Sequence, residues 1–299
     1  MIVTVPQQED KQLIFSLYNT ATDLDSRSID YFFSEHYDPA HFLIVKQADV
    51  VLCCMKVREE SIFLKGYHVE VMLIEQLVVS GNCPRSVKNE FIDACLAQFE
   101  KRKLFTVLTD SLIKNRSFEN IFRHKRYKLQ RPALFNVDGY SISDRFEAHE
   151  LLSAYDSFAK HFDSFMHKDL AYFEEKIKRL RNDNVEIFVS RDAHHDIVGY
   201  IVYNYIDGEL EVLTVIYKDT LALLTLLNQA MGMNSHIYVN VSLNENLQKI
   251  FGSIHYDIIE DVFIRVNDVE LFQRLYRTKC NSLTEFLDKN QRPLYLGFY

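Results

Sequence analysis

The sequence predicts an α/β (α+β) protein made by tandem duplication of one domain, with mixed central sheets flanked by helices. Three observations carry this. The run Val69–Val79 (VEVMLIEQLVV), the loop Ser80–Ser86 (SGNCPRS), the stretch Val87–Lys103 and the apolar run Leu104–Asp110 read as strand, loop, helix and strand, the order of a right-handed βαβ unit. The order returns later as a strand at Leu210–Ile216, a helix at Leu221–Met231 and a strand at Ile237–Val241. The closing segments then overlay without a gap at an offset of 129, which puts Ile121 and Phe122 on Ile250 and Phe251, Tyr127 on Tyr256, and Val137 on Val266.

Each element follows from local pattern. Ile2–Val5 is a short β-branched strand, and Gln8–Ala21 has helical spacing through Leu13, Ile14, Leu17 and Tyr18. A short helix follows at Ser28–Glu35, then meander strands at His41–Gln47, Val50–Arg58 and Ile62–Lys65, with a turn at Gly66-Tyr67. After Asp110 the spacing predicts a helix over Ser117–Lys125 and a strand at Ala133–Val137. The second half has helices at Ala148–His161 and Lys168–Asn182, strands at Glu186–Ser190 and Ile197–Asn204, a helix at Leu243–Phe251 and a strand at Val262–Val266. The boundary falls near 138–144, so the expected domains are 1–140 and 141–268, followed by a C-terminal helix and tail at 269–299.

Composition narrows the function classes. A hydrophobic content of 47% over 299 residues supports two real cores, built on 22 Phe and 17 Tyr without Trp. Eight Gly and five Pro argue against low-complexity arms. A net charge of −8 argues against nucleic acid and anionic membranes as partners. No apolar run reaches the length of a membrane span, and MIVTVPQQEDKQ lacks the basic and apolar regions of a signal peptide. Cys53, Cys54, Cys83, Cys95 and Cys280 have no CxxC or zinc spacing and read as reduced, inert thiols of a cytoplasmic protein.

The element order, with the segments IFLKG, QLVVSGNCPRSVKNEF, IFRHKRY and VFIRVNDVELF, resembles the GNAT acyltransferase fold. The resemblance is to its tandem form, the Eis-like (enhanced intracellular survival) N-acetyltransferases, without their sterol-carrier-like module. It implies an acetyl-CoA-dependent acetyltransferase acting on a small amine or an aminoglycoside-like substrate. It also implies that the backbone of Leu77, Val78 and Val79 holds the pantetheine arm, and that Arg85, Ser86, Val87 and Lys88 meet the pyrophosphate. The chain end would return to the first domain, where the terminal carboxylate of Tyr299 would serve as a base.

Two departures favour a second reading, a catalytically degraded fold that binds a ligand or a protein partner. Lys88 and Glu90 take the two small positions of the family's phosphate loop, where glycines let the backbone approach. Phe122 takes the place of the tyrosine that protonates the leaving thiolate, and it has no hydroxyl. The second copy has Phe251 there and no glycine-rich loop after Ile216.

Other candidates are weighed on chemistry. Glu75 interrupts an apolar strand and is either the base that deprotonates the amine or a carboxylate paired with a neighbouring cation or emerging where the sheet splays. The basic stretch Lys101–Arg131 could meet the CoA 3′-phosphate or, as a third function, RNA; in an acidic protein a solvated helix face is the simpler account. His194-His195 sits in a turn beside Asp192 and Asp196, adjacent histidines point opposite ways, and no metal is expected. The sequence leaves the oligomeric state open.

Overall fold

The computed structural model describes residues 2–109, 113, 116–130, 137–180, 185–288 and 294–295. Helices α1 (Lys11–Ala21) and α2 (Ser26–Tyr31) precede strands β1 (Phe42–Gln47), β2 (Val50–Leu64) and β3 (Tyr67–Val79). Helix α3 (Arg85–Glu100) leads to β4 (Phe105–Leu108), β5 (Glu119–Gln130) and β6 (Ser141–Ser143). Next come α4 (Ala148–Ala159), β7 (Ser164–Met166), α5 (Leu170–Leu180), β8 (Glu186–Arg191), β9 (Ile197–Ile206) and β10 (Glu209–Tyr217). The chain ends through α6 (Thr220–Met233), β11 (His236–Ser242), α7 (Gln248–Phe251), β12 (Tyr256–Val266), α8 (Val269–Tyr276), α9 (Leu283–Asp288) and β13 (Leu294–Tyr295). No helix among the described residues is long and apolar enough to cross a membrane.

The described residues form two compact units, the first from 1–62, 68–121 and 262–291, the second from 63–67, 122–261 and 292–299. This division differs from the contiguous one expected near 138–144. In the first unit β1 pairs antiparallel with β2, β3 pairs parallel with β4, and the end of β12 pairs antiparallel with β4, Phe263 opposite Leu108. A strand from the second half of the sequence thus pairs beside β4. In the second unit β6, β8, β9 and β10 run antiparallel in succession, β10 and β11 are parallel, and β5 from the first half pairs antiparallel with β11 from His124–Ser242 to Gln130–His236.

Alternation along the strands sends side chains into two cores in the first unit. Ile44, Cys54 and Val78 pack with Ile14, Leu17, Tyr18, Ile29 and Phe33 of the amino-terminal helices. Their neighbours Val45, Cys53 and Leu77 point the other way, onto Phe91, Ile92, Cys95, Leu96 and Phe99 of α3. Each fully buried Leu or Phe contributes about 1.5–3 kcal/mol, so this sandwich fixes where α3 begins. In the second unit Leu223, Leu226, Leu227, Ala230 and Met231 of α6 cover Ile201, Leu210, Val212, Ile237 and Val239, with Tyr127 and Leu129 of β5 in the same core.

Two expected helices are corrected. Ser117–Lys125, expected as a helix, is mostly β5: the ladder to β11 supplies the backbone partners, and burial of Tyr127 and Leu129 overrides weak strand propensity. Leu243–Phe251 is helical only at α7, because Ser242 and Asn246 side chains accept the backbone N–H groups of Asn244 and Gln248 and turn the chain there. Phe122 therefore lies on a strand and Phe251 at a helix end, so their overlay does not hold. Tyr127 and Tyr256 do lie on the two closing strands, their ring centroids 5.0 Å apart. Ala133 to Asn136 of the expected strand at Ala133–Val137 lie outside the described residues.

Candidate functional site

In the first unit β3 and β4 pair over four positions, Val71–Phe105 to Ile74–Leu108, and Thr109 N–H still reaches the Ile74 carbonyl at 3.3 Å. Beyond it β3 runs on to Val79 after its pairing with β4 has ended. Ser80 N–H then donates to the Leu52 carbonyl and Cys83 N–H to the Ser80 carbonyl, a tight turn that delivers the chain into α3. Pro84 is the N-cap and no described side chain caps the helix. The first intrahelical bond is Lys88 N–H to the Pro84 carbonyl, which leaves the N–H groups of Arg85, Ser86 and Val87 at the open end. The first turn holds no acidic residue. Cations there oppose the helix dipole by about 0.3–1 kcal/mol each, a cost that a bound anion reverses.

The structure brings some expected residues to this end and takes others away. Arg85 and Ser86 are exposed, Val87 and Lys88 half-buried, and Glu90 is exposed. Leu77 and Val78 bury their side chains in the two opposite cores. Glu75 follows directly on Ile74, where the strands part, and bonds Lys56 Nζ at 2.8 Å and Arg58 Nε at 3.3 Å. Of its readings this is the geometry of the paired carboxylate. Tyr299 lies outside the described residues.

The second unit repeats the parting of parallel strands but not the open helix. β10 and β11 pair only from Leu210–Ile237 to Val212–Val239, with a bulge in β10 between Val212 and Thr214. Helix α6 starts under the Asp219 carboxylate, which accepts the Ala222 N–H at 2.9 Å and the Tyr140 hydroxyl at 3.0 Å. A carboxylate already occupies the position an anion would take.

A pocket opens where these strands part, with about 560 Å³ including its solvent-open mouth. Its walls include Phe122, His124, Phe158, Val215, Tyr217 and Tyr295. Tyr295 comes from β13, which pairs parallel with β7, and its ring lies 5.1 Å from Phe158 and 5.3 Å from Phe162. Burial, then the charge of Glu245 and the hydrogen bond to it, push the Tyr217 hydroxyl far above its ordinary value. Sequence reading missed Phe158, Tyr217 and Glu245, because nothing in their spacing says that they meet; it counted Tyr295 in an apolar tail expected to pack beside Phe122, though against the first domain. The tail divides: α8 and α9 lie in the first unit, with Phe272 packed on Phe105, whereas β13 lies in the second.

Several described cations of the basic stretch sit against carboxylates. Lys103 bonds Glu59 and Glu70, Arg116 bonds Asp93 and Asn89, and Arg126 makes a two-pronged bond to Glu211 while stacking on Tyr238. His194 and His195 lie in a turn closed by Asp192. Among the described residues no group of three or more His, Cys, Asp or Glu has a metal-holding arrangement.

No protein-family model matches the chain, and no curated protein matches it. The fold is nonetheless shared with solved structures. A GCN5-related N-acetyltransferase from Anabaena variabilis superposes with a TM-score of 0.73 at 11% identity, over 90% of this chain and 73% of that one. One from Kribbella flavida gives 0.70 at 13% identity, over 89% and 70%. Eis1 from Mycobacterium abscessus gives 0.68 at 13% identity, over 91% and 75%. The chain has the mixed α/β fold of these N-acetyltransferases.

Proposed function

We propose that this protein is an acetyl-CoA-dependent N-acetyltransferase acting on a small amine, with the carrier's phosphates at the start of α3. The observation that carries the reading is the contrast between two helix starts. Helix α3 begins uncapped with Arg85 and Lys88 in its first turn, whereas α6 begins under Asp219. The carrier would supply an activated acetyl thioester. Arg85, Lys88 and the three open N–H groups would bind its phosphates, and the backbone edge of Leu77–Val79 would orient the pantetheine arm. The half-buried Lys88 acts as a point charge in place of the closer approach that a glycine would allow.

Calorimetric titration with acetyl-CoA tests this. Arg85→Glu and Lys88→Glu should each weaken binding about tenfold or more, the loss expected for one charge-assisted contact of about 1.5–3 kcal/mol. Asp219→Asn should leave it unchanged. Equal affinity in all four proteins would overturn the placement. The second reading, a binder without catalysis, is favoured by one observation, the missing hydroxyl at Phe122. Acetyl-CoA binding without thiol release across a panel of amines would select it.

A further inference from the structure

The thiols of Cys53 and Cys83 are 30 residues apart in sequence, yet their sulfurs lie 3.4 Å apart. Cys53 is fully buried on β2, and Cys83 is partly exposed in the turn before α3, its sulfur 3.6 Å from the Pro84 carbonyl. The turn is already fastened beside Cys53 by the bond from Ser80 N–H to the Leu52 carbonyl. Cys54 points into the opposite core, and Cys95 lies on the buried face of α3, in the same core as Cys53. One buried and one reachable thiol in contact are what an exchange reaction needs: an entry point and a resolving partner.

We infer that Cys53 and Cys83 are a reversible dithiol–disulfide site that fastens the β3–α3 turn to β2. Glutathione disulfide is the oxidant. The Cys83 sulfur gives up its proton and attacks one glutathione sulfur, forming a mixed disulfide and releasing the first glutathione, which takes up that proton. Cys53 then attacks the Cys83 sulfur, and its proton leaves with the second glutathione. Two protein thiols are oxidised and one glutathione disulfide is reduced to two thiols. Closure draws the sulfurs together by about 1.4 Å, from contact to the ~2.05 Å of a disulfide. Burial, first, and the bond to Cys83 push the Cys53 thiol far up, which makes it the second actor and not the first. The site stands apart from the proposed acetyl transfer, although the turn it fastens is the one that leads into α3.

The test uses the full chain incubated with glutathione disulfide, then alkylated and digested. The expected result is a peptide pair linked through Cys53 and Cys83, and a fall in titratable thiols under denaturing conditions from five to three, restored by dithiothreitol. Cys83→Ser should abolish the link, and Cys95→Ser should retain it. Because Cys53→Ser would place a hydroxyl in a core, Cys53→Ala is the companion variant, and in it Cys83 should stop at the mixed disulfide. A Cys53–Cys95 link, a stable glutathione adduct on Cys83 of the unsubstituted protein, or five thiols surviving treatment would each overturn the inference.

Discussion

Tyr295 stands edge-on to Phe122, with ring centroids 6.1 Å apart and planes at 84°. The chain's last described strand thus brings a phenol beside the position where the family resemblance implies one and the sequence has phenylalanine. Tyr295→Phe keeps the ring contacts with Phe122, Phe158 and Phe162 and removes only the hydroxyl. If that hydroxyl handles the leaving proton, kcat falls by more than any change in stability accounts for. Tyr295→Ala should cost about 3–5 kcal/mol by urea denaturation whichever role applies, because it empties a packed aromatic site. Full kcat in Tyr295→Phe would dismiss the phenol as acid.

Glu75 separates a structural from a catalytic carboxylate. Glu75→Gln leaves Lys56 facing a neutral amide while Arg58 keeps Glu60, and with side chains about one-fifth exposed the loss should be about 1–2 kcal/mol after allowance for solvent screening. Adding Lys56→Met should recover part of that stability. If activity recovers with it, Glu75 is a positioning residue; if activity stays low, the carboxylate is the base.

Gly199 of β9 has no room for a side chain. A Cβ built there meets the Ile216 carbonyl oxygen at 2.7 Å and Leu226 at 3.0 Å. Gly199→Ala should therefore destabilise the second unit by about 1–3 kcal/mol, measured as a lower urea midpoint. An unchanged midpoint would mean that β9, β10 and α6 pack less tightly than described.

The Arg126–Glu211 pair makes stability pH-dependent. Burial raises the Glu211 carboxyl, but the hydrogen bonds from Arg126 and Asn240 and the Arg126 charge outweigh it and hold the carboxyl below its ordinary value. A depressed folded-state value adds stability above the unfolded value, near pH 4.3, and loses it as pH falls through the folded one. Urea midpoints should fall as the pH drops from about 5 toward about 3 in the unsubstituted protein. Glu211→Gln should flatten this acid limb, and an unaltered limb would place the effect elsewhere.

The α/β class was legible because its signals are local. The apolar run of β3, the spacing of Phe91, Ile92, Cys95, Leu96 and Phe99 on α3, and the run of β4 each declare an element within a few residues. The turn before α3 was equally legible as a turn, since Ser80, Gly81 and Pro84 are near neighbours in sequence. What local pattern could not carry was pairing. The basic segment of β5 reads as a helix until His124–Gln130 finds β11 as its partner, over a hundred residues away. The same holds for β12 beside β4 and for Cys53 against Cys83. Sequence periodicity reports which face of an element is apolar; which element covers that face is decided by chain return and burial, and only the tertiary structure records it.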